Sequence, residues 1–396
     1  MTAVPGLPTH VAARFTAAQI DALVALRREL HAHPELAFHE HETSRRLAAA
    51  LAAISGVEVR RVGETGLVAR VRGRDAGAPV VAIRGDIDAL PIHEDTGLPF
   101  ASRTDGVMHA CGHDVHATWA VGAAQLLAAD PPPGDVLVVL QPAEEVGKGA
   151  RAMLESGALD GVARIFGGHV DRRFEVGQAV ADAGPLAASA DTFSIELKGQ
   201  GAHAARPHEA ADPIVGAAAL VTALQTIVAR RLNPATPGVV TVGVIQAGSA
   251  PNVIPDRAVL RGTVRAVEPA SRRFMLDEVR RLAESVAVAH RLSASVDIEL
   301  GTPPLVNPAS GAAIARAAAI AVLGEAGVVP LGFLNLGGED FSFYLERMDG
   351  CFLRIGAREP GGEPTAAHSP RFAPAEAAIF CGAAILAECA RQPVRN

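Results

Sequence analysis

Two short runs of the sequence, VVAIRG at 80–85 and VLVVLQ at 136–141, are apolar almost throughout. Strands of this composition are buried on both faces, as in parallel or mixed sheets that are covered by helices. Helical periodicity lies around them: apolar residues recur at helical spacing over 17–33, and a helical segment follows over 116–129. This alternation predicts an α/β domain over roughly 15–185, with a mixed sheet and helices on both faces.

The sequence pattern changes at about residue 188. Polar and apolar residues alternate in DTFSIELKG, and VVTVGVIQAG and AVLRGTVRA are predicted as further strands. Long amphipathic helices are predicted over 211–230 and 269–289. Strands of this kind with long helices are typical of a small α+β domain in which one face of the sheet is covered.

The first pattern returns after GTPPLVNP, with a predicted helix over 310–323, a strand at CFLRIG and a closing helix from Ala373 to about Arg391. A chain of 396 residues is also long enough for two domains. We therefore predict a discontinuous first domain, 1–187 and 304–396, that is interrupted by a second domain at 188–303.

The charge pattern makes nucleic acids and membranes poor partners. The formal net charge is −7 and the basic residues are dispersed, whereas both partners need a concentrated basic face. We find no leader-like N-terminus and no apolar run of about 18 residues or more. The four cysteines contain no CxxC pair and are too sparse for a disulfide framework. We therefore expect a cytosolic protein with reduced thiols that acts on a small molecule.

Five segments carry nearly all of the residues that are capable of chemistry. They are RGDIDALP (84–91), MHACGHDVH (108–116), QPAEE (141–145), GGHV (167–170) and AAHSP (366–370). Several follow a predicted strand directly: Asp86 and Asp88 follow VVAIRG, and Glu144 and Glu145 follow VLVVLQ. His169 likewise follows ARIFG. Loops at strand ends meet outside an open α/β sheet, so we expect these side chains to converge.

The residue types in these segments are those that bind divalent metals. Ions of the zinc type favour imidazole, thiolate and carboxylate ligands, and a dinuclear site needs about five or six of them, one being shared. Cys111 and His113 are two residues apart on a predicted loop. The remaining ligands would be Glu145, His169 and His368.

Two adjacent glutamates, Glu144 and Glu145, point to catalysis. Consecutive side chains diverge, so that one carboxylate can bind metal while the other accepts a proton from metal-bound water. Two alternatives stay open at this point. One is a thiol hydrolase with Cys111 as nucleophile and His109 or His113 as base, and the other is a non-catalytic metal-binding protein.

Eight segments, in this order, resemble those of the aminoacylase and carboxypeptidase-G metallopeptidases. They are RGDIDALPIHE, MHACGHDVH, QPAEE, GAHAARPHEAADP, APNVIPD, GTVR, GGEDFSFY and AHSP. The chain more closely resembles the amidohydrolase branch of hippurate hydrolases and plant auxin-conjugate hydrolases, because HACGHD has a cysteine where most of the wider family has a bridging aspartate. The resemblance implies a zinc-peptidase-like catalytic domain that is interrupted by a lid and dimerisation domain.

The resemblance also implies a set of metal ligands. Cys111 would bridge two divalent ions, with Glu145 and His368 completing one site and His113 and His169 the other. Zinc or manganese is expected, with cobalt or nickel as alternatives.

The remaining implied roles are catalytic and substrate-binding. Glu144 would be the general base and then the acid, and Asp88 would orient a metal ligand or the base. In the second domain, His203 of GAHAARPH would stabilise the oxyanion in its own or a partner chain. Asn252 would help to hold the substrate carboxylate, or it is a turn residue ahead of Pro255. Arg261 and Arg265 compete for the same role because of their charge. Asp86 stands where the wider family has a metal-binding histidine, so we leave it out of the ligand set.

These expectations combine into one predicted activity. The chain would be a metal-dependent amidohydrolase that cleaves the amide of an N-acyl amino acid, such as an N-acetyl or N-benzoyl conjugate. A metal-bound water would attack the carbonyl and release a carboxylic acid and a free amino acid. We expect a homodimer or a larger assembly that forms through 188–303.

Overall fold

The computed structural model describes residues 4–393 and divides into two compact units. The first unit runs to Gly184 and continues through Asn307–Phe333 and from Phe343 onward, while the second comprises Pro185–Val306 and Leu334–Ser342. The sequence analysis placed 334–342 in the first domain. This segment instead clusters with the second unit, where Gly337 accepts a hydrogen bond of 3.0 Å from the backbone of Ala188.

The chain up to Ala187 alternates helices and strands in the predicted manner. The helices are α1 (Thr9–Ala12), α2 (Ala17–Ala32), α3 (His41–Ala52), α4 (His113–Ala129) and α5 (Gly149–Glu155). The strands are β1 (Val57–Val62), β2 (Gly66–Val71), β3 (Val80–Asp86), β4 (Val136–Gln141), β5 (Val162–Glu175), β6 (Ala179–Val180) and β7 (Gly184–Ala187).

The rest of the chain first forms strand-rich structure and then returns to the α/β pattern. The strands are β8 (Asp191–Lys198), β9 (Ala202–His203), β10 (Gly238–Ala247), β11 (Val253–Ile254), β12 (Arg257–Ala266), β13 (Ser293–Glu299), β14 (Leu305–Asn307) and β15 (Asp349–Arg358). The helices are α6 (Pro213–Thr226), α7 (Pro269–Ala289), α8 (Ala309–Leu323), α9 (Ser342–Leu345) and α10 (Ala377–Arg391).

The first unit is built on a seven-stranded mixed sheet with strand order β1-β2-β4-β3-β5-β15-β6. The central pairs β4–β3, β3–β5 and β5–β15 are parallel, and the outer pairs are antiparallel. Every residue of β4 is buried, and so is every residue of β3 after Val80. Both faces of the sheet are therefore covered, and the predicted mixed α/β fold is confirmed.

Helix α4 lies in the interior of the first unit and carries part of the site at its start. Residues 113–124 are all buried, and α4 packs against α2, α10 and β3. The packing is close because small residues face the large ones: a Cβ added at Gly382 of α10 would lie 2.4 Å from Cε3 of Trp119. The position of the N-terminus of α4 is thus set by the core.

The second unit contains a four-stranded antiparallel sheet with strand order β10-β12-β8-β13. Side chains alternate between buried and more exposed along β8, and α6 and α7 pack on the sheet. The buried residues Ile195, Leu260 and Val279 belong to a hydrophobic cluster of this unit. This agrees with the expected α+β domain in which one sheet face is covered.

Candidate metal centre

Side chains from distant parts of the sequence lie next to one another in the first unit. Sγ of Cys111 is 3.1 Å from Nε2 of His169, and Nε2 of His368 is 3.4 Å from Oε2 of Glu145. Nε2 of His113 lies 3.8 Å from Oε1 of Glu145. The structure therefore brings together the five residues that were predicted as metal ligands.

Two of these residues belong to a helix or a strand. The sequence analysis had placed both of them in loops next to these elements. α4 begins at His113 and not at 116, so His113 belongs to its first turn. β5 extends to Glu175, so His169 lies inside a strand, because the parallel pairing with β15 continues past it and sets Arg354 opposite His169. Both residues are consequently held by backbone structure as well as by side-chain contacts.

Two groups of candidate ligand atoms share Cys111. One group contains Cys111, His113 and His169, and the other contains Cys111, Glu145 and His368. Within each group the ligand atoms lie within 4.8 Å of one another. The two groups coincide with the two ligand sets that the resemblance implies, and a thiolate at Cys111 could contact two ions at once.

The imidazole orientations suit the binding of a cation. Nδ1 of His113 is 2.9 Å from the carbonyl oxygen of Asp88, and Nδ1 of His169 is 2.7 Å from that of Val170. Each ring therefore donates from Nδ1, so that Nε2 is the atom through which it would bind a metal ion. Within residues 4–393, Nε2 of His113 and Oε1 of Glu145 are buried without a hydrogen-bond partner. Such atoms are rare in folded proteins, and a divalent cation would satisfy both.

Asp88 connects the histidine side of the site to the glutamate pair. Its two carboxylate oxygens accept hydrogen bonds of 3.0 Å from the backbone N–H groups of Glu144 and Glu145. Oδ1 of Asp88 also lies 3.2 Å from Nδ1 of His113. The Asp88 side chain thereby orients both His113 and the loop of Glu144 and Glu145, as expected for a carboxylate behind the ligands.

The turn between Cys111 and His113 requires glycine. Gly112 precedes α4 in the left-handed region with φ 88°. A Cβ at this position would lie 2.5 Å from Cγ2 of Val170 and 3.4 Å from Cε1 of Phe372. Both the backbone conformation and the close packing therefore exclude a larger residue, and Cys111 and His113 can face one point from either side of the turn.

A buried pair next to His113, Asp86 and His116, was not assigned a role from the sequence. Oδ1 of Asp86 is 2.6 Å from Nδ1 of His116, and Nε2 of His116 accepts a hydrogen bond of 2.9 Å from the backbone of Val170. Arg84 also pairs with Asp86. The pair thus supports β5 next to His169. The sequence analysis had placed both residues in segments that are capable of chemistry, RGDIDALP and MHACGHDVH, but it had not predicted this contact.

The sequence profile of peptidase family M20/M25/M40 matches residues 82–392. The chain belongs to this family. An N-acetyl-L-cysteine deacetylase from Bacillus subtilis (strain 168) is 41% identical over 374 residues, which is 93% of this chain and 88% of the relative. The protein called IAA-amino acid hydrolase ILR1-like 2 from Arabidopsis thaliana is 36% identical over 383 residues, 95% of this chain and 86% of the relative.

A solved structure of the same family has the same fold. The crystal structure of the Bacillus subtilis YXEP protein, described as a dinuclear metal-binding peptidase from the M20 family, superposes with a TM-score of 0.84 at 37% identity. The match covers 95% of this chain and 98% of that one. The likeness therefore extends over both units and supports the fold class that was predicted from the resemblance.

The electrostatics of the M20 centre argue against Cys111 as a nucleophile. Burial raises the pKa of the Cys111 thiol well above its ordinary value, and the Glu145 carboxylate adds to the rise. Burial also lowers the pKa of His169 well below its ordinary value, so that this imidazole stays neutral. A buried, protonated thiol is a poor nucleophile, whereas cations would deprotonate it and bind neutral imidazole.

The residues of the second unit that were predicted to contact the substrate lie in two parts of that unit. His203 and Asn252 are both exposed and adjacent, because β9 pairs with β11 and the backbone of Ala204 donates a hydrogen bond of 3.0 Å to the carbonyl oxygen of Asn252. Arg261 and Arg265 lie on β12, where the alternate residues face the hydrophobic cluster, so both arginines belong to the other face of the sheet. Their roles remain predictions.

Proposed function

We propose that this chain is a dinuclear metal-dependent amidohydrolase that hydrolyses N-acyl amino acids to a carboxylic acid and a free amino acid. The observation that carries the proposal is the sharing of Cys111 by two groups of ligand atoms. His113 and His169 would complete the binding of one ion, and Glu145 and His368 that of the other. Glu144 stands next to a ligand without being needed in either set.

Zinc or manganese is the proposed metal, with cobalt or nickel as alternatives. A thiolate favours softer ions such as zinc, while carboxylate and imidazole ligands also accept manganese, cobalt and nickel. The family relationship to a protein described as a dinuclear metal-binding peptidase supports two ions per chain.

The substrate class follows from the relatives and from the reaction that such a centre performs. One relative is named as a deacetylase of N-acetyl-L-cysteine and another as a hydrolase of IAA-amino acids. Both names describe an acyl group joined by an amide to an amino acid. We therefore assign this chain an acyl amino acid substrate with a small or an aromatic acyl group.

Glu144 is the proposed proton carrier of the reaction. Bound divalent ions would polarise the scissile carbonyl and lower the pKa of water towards ~7. Glu144 accepts the proton of the attacking water and delivers it to the leaving amine. Asp88 fixes the backbone N–H groups of Glu144 and Glu145, so that the two carboxylates keep different directions.

Residues of the second unit are proposed to hold the rest of the substrate. The imidazole of His203 donates a hydrogen bond to the developing oxyanion, an interaction that is worth about 3–4 kcal/mol in comparable sites. Asn252 is the first candidate for binding the substrate carboxylate, and Arg261 and Arg265 are the competing candidates, since that carboxylate carries a full negative charge. The second unit would close over the substrate as a lid and exclude bulk water.

The second unit is also proposed to join two copies of the chain. β10 lies at the edge of the four-stranded sheet, where Val244 and Ile245 are 39% and 54% exposed. α6 contacts β10 and exposes Ile214 and Val215. The helical stretch Pro213–Arg231 is long and apolar enough, by length and composition, to cross a membrane. Only 33% of an apolar 18-residue part of this stretch is buried. An apolar helix next to an unpaired strand edge suits a surface that a second copy covers.

Replacing Ile245 by lysine is expected to convert the dimer to monomer. The substitution Ile245→Lys places a charge at the strand edge that the second copy would cover, and edge lysines oppose strand pairing. Sedimentation velocity of the full chain measures the change. The matched control is Val288→Lys, which changes an exposed valine at the end of α7, the helix that precedes the strand at the opposite sheet edge. Equal masses for both variants would contradict the proposed interface.

The four cysteines, all of which lie in the described part of the chain, are buried free thiols. Free thiols persist in a reducing compartment. We therefore propose that the enzyme acts in the cytosol.

Hydrolysis of a substrate panel tests the proposed function. The metal-reconstituted chain is assayed against N-acetyl, N-benzoyl and indoleacetyl amino acids, with release of the free amino acid as readout. At least one class should be hydrolysed with a kcat/KM of about 10⁴ M⁻¹ s⁻¹ or more, as is usual for a cognate substrate. Inactivity on the whole panel after reconstitution with each of the four metals would overturn the proposed substrate class.

A further inference from the structure

The loop that carries the two glutamates starts with a residue in an unusual backbone conformation. Ala143 has φ 56°, in the left-handed region that residues with a Cβ rarely occupy. Its carbonyl oxygen accepts a hydrogen bond of 3.1 Å from the backbone of Gly149, which closes the loop. The direction in which Glu144 and Glu145 leave the backbone therefore depends on how Ala143 is held.

A buried carboxylate far away in the sequence contacts Ala143. Oε1 of Glu40 accepts a hydrogen bond of 2.9 Å from the backbone N–H of Ala143 and another of 3.0 Å from that of Phe38. Phe38 is also in the left-handed region, with φ 62°. Oε2 of Glu40 accepts a hydrogen bond of 2.7 Å from the hydroxyl of Thr65. One carboxylate therefore holds two backbone positions that would otherwise favour glycine.

Helix capping does not account for Glu40. The residue stands at the start of α3, but its side chain makes no capping hydrogen bond to that helix. The first amides of α3 are instead satisfied by Glu35, whose carboxylate accepts hydrogen bonds of 3.2 Å from Glu42 and 2.7 Å from Thr43. The Glu40 carboxylate is fully buried, and the free-energy cost of that burial is offset by the hydrogen bonds from Ala143, Phe38 and Thr65.

We propose that Glu40 is a positioning residue, which holds Ala143 in the left-handed region and thereby directs Glu145 to the metal and Glu144 to the substrate. Three consecutive backbone N–H groups of the loop are then fixed by two buried carboxylates, with Ala143 on Glu40 and the next two residues on Asp88. This inference rests on the proposed function, since it assigns Glu145 to the metal.

The test compares cobalt binding and kinetics in variants of the full chain. Metal-free protein is titrated with Co²⁺ and followed by the visible d–d absorption, which reports the ligand geometry. Glu40→Ala should weaken Co²⁺ binding by about ten- to a hundredfold, as expected for losing hydrogen bonds to a charged group. It should also lower kcat by about a hundredfold with a smaller change in KM, because the reacting groups are displaced.

Two further variants keep the test decisive if Glu40→Ala folds poorly. Glu40→Asp retains a buried charge but withdraws the acceptor from Ala143, so it should change Co²⁺ binding and kcat in the same direction. Adding Ala143→Gly to either variant should restore much of both, because glycine adopts positive φ without support. A role in stability alone would show no such recovery.

The matched control is Glu35→Ala, which removes a carboxylate from the same segment and from the cap of α3. It should lower the urea midpoint of unfolding and leave the Co²⁺ spectrum and kcat unchanged. Wild-type Co²⁺ affinity in Glu40→Asp, or equal kcat losses in the Glu35 and Glu40 variants, would overturn the inference. If the wild-type chain itself neither binds Co²⁺ nor hydrolyses the panel, the proposed function fails instead.

Discussion

Removal of divalent metal is expected to lower the hydrolysis rate by at least about a thousandfold, which corresponds to roughly 4 kcal/mol of transition-state stabilisation. The reason is that, in the proposed mechanism, a bound cation would polarise the scissile carbonyl and lower the pKa of the attacking water. Dialysis against a chelator followed by an assay with the best substrate of the panel measures the loss. Zinc, manganese, cobalt and nickel are then restored one at a time.

The chelation experiment also separates the metal mechanism from a thiol mechanism. A thiol hydrolase would be indifferent to chelators and would be inactivated by alkylating agents. We expect the opposite order of sensitivity, because burial keeps the Cys111 thiol protonated when no cation is bound. Full activity after exhaustive chelation, with residual metal measured by mass spectrometry, would refute the two-metal proposal.

Glu144→Gln is expected to lower kcat by about 10³- to 10⁴-fold, at the upper end of the range for general acid–base catalysis, because the same carboxylate both accepts and delivers the proton. The amide preserves the size of the side chain, and the backbone N–H of residue 144 can still bind Asp88. Co²⁺ affinity should therefore stay within about threefold of the wild type. Single-turnover kinetics and the Co²⁺ titration provide the two readings.

Glu145→Gln is the matched control for this prediction. It alters the neighbouring residue of the same loop, which lies 3.4 Å from His368, and it should weaken Co²⁺ binding in addition to lowering activity. The proposed division of labour would be wrong if both substitutions affected metal binding equally. A Glu144→Gln variant with every measured property intact would instead favour a metal-binding protein without catalysis.

Much of the fold could be predicted because local sequence carries the relevant signal. β4 was predicted with its observed bounds, since a strand that is buried on both faces is apolar at every position. α7 was also predicted correctly, because its apolar residues follow the helical period over 269–289. The placement of 334–342 with the second unit was missed, since it depends on contacts such as that between Gly337 and Ala188.

The same contrast applies to the site. Residue types and their grouping in five short segments were sufficient to single out Cys111, Glu145 and His169 as candidates. They did not reveal that His113 starts a helix or that His116 supports β5, because both facts depend on packing between elements. Glu40 escaped notice for the same reason, as its partner is 103 residues away.

The amino-acid sequence by itself determined which ligand types are available and most of the strands and helices near which they lie, because composition and periodicity are local properties of the chain. Only the tertiary structure shows the distances that place Cys111 in two ligand groups, and only it shows that two buried carboxylates hold the glutamate loop. Distances of 3–4 Å between residues far apart in sequence arise only when the sheet and α4 have packed together.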